Sequence, residues 1–169
     1  SRGLGDVYKR QEYIQSLAKT IKTHEFYGKQ DKVVFSYHGI PKKYFDEGDP
    51  YHCFCQKTSR LVAETLGLEE NQYITSFQSR LAAAGREWLK PYTSELMEKL
   101  PKEGTKKILI LSPGFSMDCL ETIEEIDEEN KEIFLDSGGE AFHYIACLND
   151  NVEHVEAINN LIANKISQL

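Results

Sequence analysis

Past its first eleven residues the chain alternates two spacings of apolar positions. Tyr13, Ile14, Leu17 and Ile21 recur at three and four residues, as one face of a helix does, and lead into KVVFSYHG, a run that reads as a strand. Asp49-Pro50 opens a second helical pattern through Thr58, Leu61, Val62, Thr65 and Leu66, which Gly67 closes. YITSFQS is the next strand, and Pro91 starts a helix through Leu96, Met97 and Leu100 that ends near Gly104. KILILS is almost wholly apolar, the composition of a strand covered on both faces. An acidic helix follows and stops at Gly138-Gly139, a natural C-cap. FHYIACL is the fourth strand, and Val155, Ile158, Leu161, Ile162 and Ile166 mark one side of a last helix.

Four strand–helix repeats without a linker predict an α/β fold, a parallel four-stranded sheet flanked by helices on both faces. In such sheets the ligand site lies beyond the carboxyl ends of the strands. The ends SYHGIP, SFQSR, SPGFSMD and CLND should therefore gather His38, Gln78, Ser79, Arg80, Asp118 and Glu121 along one rim.

Composition narrows the setting. At 169 residues the chain suits one well-cored domain. A net charge of −7 argues against nucleic acid, whose binders carry a basic stripe. No apolar run reaches the length of a membrane span and no secretory signal pattern is present, which leaves only peripheral membrane contact open. The cysteines, Cys53, Cys55, Cys119 and Cys147, form no secreted disulfide framework and suit free thiols in a reducing cytoplasm. Cys53-Phe54-Cys55 is only half of a metal or iron–sulfur ligand set, so no cluster is expected. The opening SRGLGDVYKRQ reads as foreign to the rest, because DVYKRQ back-translates into a sequence resembling a transposon end used to build sequencing libraries. Residues 1–11 are set aside as a non-native leader, with 12–169 as the domain.

The acidic helix changes the picture most. From Asp118 to Glu132, eight of fifteen residues are carboxylates. Burying such groups is costly unless a cation meets them, so the run either faces water or collects cations or protons. At about 100° per residue, Asp118, Glu121, Glu125 and Glu129 share one face, and Leu120, Ile123, Ile126, Ile133 and Phe134 fall on the other. His38, at a strand end before Gly39-Ile40-Pro41, is a base or metal ligand near neutral pH. His24, His52, His143 and His154 read as surface or packing residues. Trp88, the single tryptophan, is a core anchor or one wall of an aromatic pocket.

Four stretches, FSYHGIPKKYFDEGDPY, SFQSR with the later WLKPYT, PGFSMDCLETIEEI and GGEAFHYIACLND, together resemble the ferrochelatase family in order and spacing, from about Tyr13 to the C-terminus. The resemblance implies the C-terminal half of a bacterial member, a Rossmann-like, chelatase-type domain whose similar N-terminal domain is missing. It implies insertion of ferrous iron into protoporphyrin IX to form protoheme in heme biosynthesis, with iron as a substrate and no diffusible cofactor. The family's strand-end histidine falls on His38, as base or metal ligand, and its active-site glutamate on Glu121. Asp118, Glu125 and Glu129 then form a proton or metal path, and Gln78, Ser79 and Trp88 match positions that bind the porphyrin. The run LAAAGREW departs from the family in its approach to Trp88. Two other readings stay open: a chelatase acting on coproporphyrin or another tetrapyrrole, and a non-catalytic metal-binding module whose acidic face merely attracts cations.

Overall fold

The computed structural model describes residues 3–80 and 85–167, without the side chains of residues 3–10; the run 81–84 that precedes Gly85 and Trp88 lies outside it. Four strands, β1 (Lys32–His38), β2 (Tyr73–Gln78), β3 (Lys107–Leu111) and β4 (Ala141–Ile145), form one sheet in the order β2-β1-β3-β4. All three pairings are parallel, as expected from the sequence. The order reverses between β1 and β3, because the chain first steps outward to β2 and then crosses back over β1. Connections that leave in opposite directions open a crevice at that point. Register places His38 beside Gln78 at its mouth.

Alternation along the strands divides the core in two. Val33, Phe35 and Tyr37 of β1 join Phe77, Leu109, Leu111 and Ile145 on one face, packed beneath α1 (Gly3–Thr23) and α3 (Tyr51–Leu66). Val34 joins Ile108, Ile110 and Phe142 on the other, beneath α4 (Thr93–Lys99) and the acidic segment. By the same period of two, Ser36 and His38 belong to this second face. A short helix that the periodicity did not signal, α2 (Lys42–Asp46), follows β1.

The acidic segment is not one α-helix. It runs as α5 (Leu120–Thr122), a π-helical stretch (Ile123–Asn130) and α6 (Lys131–Asp136). β4 ends at Ile145, three residues before the expected Leu148. The last helix, α7 (Val152–Ile166), forms where the sequence places it. Its apolar side is exposed, from Leu161 at 38% to Ile166 at 65%, and only His154 and Ala157 are buried. The helix lies on α1 rather than on the sheet, so that side finds no apolar layer to cover it. The segment set aside as a leader falls within α1 from Gly3 onward; Ser1 and Arg2 lie outside the described residues.

Candidate active site

His38 ends β1 with its ring exposed. Its Nδ1 lies 2.6 Å from the Gly39 carbonyl oxygen. A carbonyl only accepts, so Nδ1 carries the proton, and it is Nε2 that can offer a lone pair to a proton or a metal. The His38 carbonyl accepts from the Tyr51 hydroxyl at 2.9 Å, which anchors the strand end on α3. The glycine that follows is required by close approach: a Cβ on Gly39 would fall 2.9 Å from the Gln78 carbonyl oxygen and 3.4 Å from Cε3 of Trp88. Trp88 thereby packs over the strand end, 8% exposed, and forms one wall of the crevice.

Beneath the crevice the apolar layer turns polar. Ser36, Ser76, Gln78, Thr93 and Ser112 are all buried. Thr93 Oγ1 bonds to Ser36 Oγ at 2.8 Å and Ser76 Oγ at 3.0 Å. Ser36 and Ser112 donate to Gln78 Oε1 at 2.8 and 3.1 Å, and Gln78 Nε2 donates to the Glu121 carbonyl at 2.5 Å. Gln78, expected against the porphyrin, is therefore 2% exposed and occupied on both amide atoms. Its contact ties the end of β2 to the head of the acidic segment.

That segment follows a repeat of four. Thr122, Ile126, Asn130 and Phe134 are buried, each four residues from the last, and Glu121, Glu125 and Glu129 precede the first three of them. In an α-helix a strict four-residue repeat drifts by about 40° per step. Winding eight residues as a π-helix puts more residues in each turn and removes that drift. Leu120 and Ile123 are exposed at 67% and 48%, contrary to their expected place on the packed side.

His38, Ser79, Arg80, Trp88, Glu121, Glu125 and Glu129 border one open cleft of about 560 Å³, joined by Leu120 and Glu124. Glu121 is exposed and its carboxyl is held below the ordinary range, first by its own backbone N–H, then by the Cys119 thiol, with His38 adding to the effect. Glu125 is gripped: Ser79 donates from its backbone N–H to Oε1 at 2.6 Å and from its hydroxyl to Oε2 at 2.9 Å. Ser79 stands at φ 62°, a left-handed conformation that a serine adopts only under constraint. Arg80 lies over the Tyr92 ring at 4.2 Å and pairs with Glu95.

Asp118 stands apart from this line. It precedes the helix, so its three-residue offset from Glu121 carries no helical meaning, and it does not border the cleft. Its Oδ1 accepts from the Tyr144 hydroxyl at 2.7 Å, the Cys147 N–H at 3.1 Å and the Thr122 hydroxyl at 3.1 Å, and Oδ2 accepts from the Asn149 amide at 2.7 Å. Burial alone would raise its pKa, but the bonds from Asn149, Tyr144 and Cys147 outweigh it and hold the carboxyl down to about 2. This is a structural knot between the loop after β3 and the end of β4.

The four cysteines are free thiols. Cys53 is exposed and Cys55 buried on the same helix, and burial pushes Cys55 up to about 11 and Cys147 up to about 12. Among the described residues no three His, Cys, Asp or Glu side chains are arranged to hold a metal ion. The sequence reading missed Glu124 and Leu120 as cleft residues and the serine–threonine seam below them. The polar pairs Ser36/His38 and Ser76/Gln78, each on one strand face, were its available signal.

Comparison with known proteins bears on this geometry. The fold is similar to that of the crystal structure of a CbiX protein assigned to cobalamin (vitamin B12) biosynthesis from Marinobacter aquaeolei VT8, at a TM-score of 0.51 and 11% identity over 82% of this chain and 98% of that one. Curated ferrochelatases are much nearer in sequence: 52% identical over 155 residues in Marinobacter nauticus, 51% over 155 in Idiomarina loihiensis and 50% over 162 in Hydrogenovibrio crunogenus. These alignments cover 91%, 91% and 95% of this chain but only 41%, 42% and 42% of the relatives, so the chain spans under half their length. The family model for ferrochelatase matches residues 2–166, a range that includes His38, the whole acidic segment and all four strands. With that match and identities near one half, the chain belongs to the ferrochelatase family.

Proposed function

We propose that this chain is the C-terminal α/β half of a bacterial ferrochelatase, and that in the complete cytoplasmic enzyme its cleft serves the insertion of ferrous iron into protoporphyrin IX to form protoheme. One observation carries the reading. An exposed imidazole with a free Nε2 and an ionised glutamate border the same open cleft where the strand order reverses, with further carboxylates leading away.

The chemistry suits these groups. Iron brings two positive charges into the ring and the pyrroles release two protons, so the exchange is neutral overall but needs somewhere for each charge to go. The imidazole of His38 takes a pyrrole proton or hands over the iron, for which imidazole and carboxylate are suitable ligands. Glu121 balances the charge at the mouth, and Glu125 and Glu129 extend the negative line along the segment. Two groups rather than a closed ligand set fit an ion that must be released. Trp88 supplies a flat apolar wall for the macrocycle.

A macrocycle needs a second wall. The exposed apolar side of α7 supports a partner on this domain, and the N-terminal domain of the same protein is the partner proposed. The isolated chain is accordingly expected to form no protoheme. The reading is tested in the full-length protein under anaerobic conditions with ferrous iron and protoporphyrin. His38→Ala should abolish protoheme formation with the fold intact, since the exposed ring adds little to packing; retention of more than about a tenth of the rate would contradict it.

A further inference from the structure

We propose that Ser79 is a positioning residue for this site: by gripping Glu125 it fixes the acidic line against His38, and it does not itself bind the porphyrin. The inference rests on the ferrochelatase reading above. Both donors of Ser79 are engaged by one carboxylate, the N–H by Oε1 at 2.6 Å and the hydroxyl by Oε2 at 2.9 Å. The backbone at φ 62° directs the N–H away from the strand ladder toward the helix, a conformation kept because the surroundings impose it. The preceding residue is locked as well. Gln78 is buried, its Oε1 accepts from Ser36 and Ser112, and its Nε2 holds the Glu121 carbonyl. Two consecutive residues at the end of β2 thus hold two successive turns of the acidic segment, Gln78 by the backbone at Glu121 and Ser79 by the side chain at Glu125. The β1–β2 register, with the Gly39 N–H donating to the Gln78 carbonyl at 2.8 Å, ties both to His38. Where an ion or a proton passes between fixed groups, a small displacement lowers the rate of the step rather than the affinity for substrate.

Two substitutions separate positioning from packing. Ser79→Ala and Ser79→Gly both remove the hydroxyl, but alanine keeps the left-handed strain and glycine relieves it. In the full-length protein, assayed anaerobically with ferrous iron and protoporphyrin, both should lower kcat by a similar factor of about ten, with porphyrin KM within about twofold. The glycine variant should nevertheless melt at the higher temperature. Ser79→Asn, which tolerates the left-handed backbone and restores a side-chain donor, should recover part of the rate. A porphyrin KM raised about tenfold at unchanged kcat would make Ser79 a substrate contact, and a kcat that follows Tm would make it structural only; either overturns the proposal. One readout is independent of the reaction. The Ser79 amide proton should exchange at least about tenfold more slowly in the parent than in Glu125→Ala, and equal exchange overturns the grip whatever the protein catalyses.

Discussion

Asp118 and Glu121 are three residues apart and carry the same charge, yet they occupy opposite regimes. The knot around Asp118 surrounds its carboxylate with four donors and leaves it no freedom. The line that starts at Glu121 is open on one side to a cleft of about 560 Å³, and its second member, Glu125, is gripped by Ser79. A carboxylate held by four donors anchors the chain and is poorly available to an ion. One that is ionised and exposed can exchange partners. Local donors, not residue type, decide which role each takes.

The contrast can be broken first at the knot. Asp118→Ala strands the Tyr144 hydroxyl, the Cys147 N–H and the Asn149 amide at once, and is expected to cost about 3 kcal/mol, read as a fall of roughly 9 °C in Tm. In the full-length protein the folded fraction of that variant should form protoheme at close to the parent's rate. The pH dependence has a definite sign. The native carboxyl titrates at about 2, below the unfolded value of about 3.9. Its contribution is therefore complete above about pH 4 and is lost as pH falls toward about 2. In urea titrations the gap between parent and Asp118→Asn should narrow over that window, and a gap that does not change with pH would dissolve the knot.

The next effect is smaller and joins the two regions. Gln78→Leu leaves Ser36, Ser112 and the Glu121 carbonyl without their shared partner, for an expected loss of about 2 kcal/mol in denaturant unfolding. Because Gln78 holds the head of the acidic segment, the variant should also lose rate beyond its loss of stability. The smallest effect belongs to the far end of the line. Glu129→Gln should slow insertion only about twofold, and the difference should fade at high salt, as befits an exposed charge acting through solvent. A loss as large as that of a group touching the ring would place the reacting centre elsewhere along the segment.

How much of this was legible in the sequence depends on which period governed each stretch. β1 and β3 announced themselves by apolar runs, and the Gly67 cap of α3 stands at φ 70° as its position required. His38 and Glu121 were legible because strand ends in a parallel sheet converge. The acidic segment was misread in detail, since a 3.6-residue period was imposed on a segment whose buried residues recur every four. The repeats Thr122/Ile126/Asn130/Phe134 and Glu121/Glu125/Glu129 carried that information. Asp118 was misplaced for the same reason, having been counted as helical when it precedes Cys119, the N-cap. Gln78 and Ser79 could not be assigned from spacing, because their partners lie 43 and 46 residues away. Nor could the exposure of α7, whose pattern is that of a packed helix.

The central claim is that one segment separates a structural carboxylate from a chemical one, and Glu121→Gln tests it most directly. The substitution keeps shape and removes charge at an exposed position. Measured in the full-length protein as the anaerobic rate of protoheme formation, with Tm and porphyrin binding followed in parallel, it should lower the rate by about a hundredfold or more. Tm should hold and porphyrin binding should fall only modestly. A rate close to the parent's, or a loss of porphyrin binding as large as the loss of rate, would contradict the assignment.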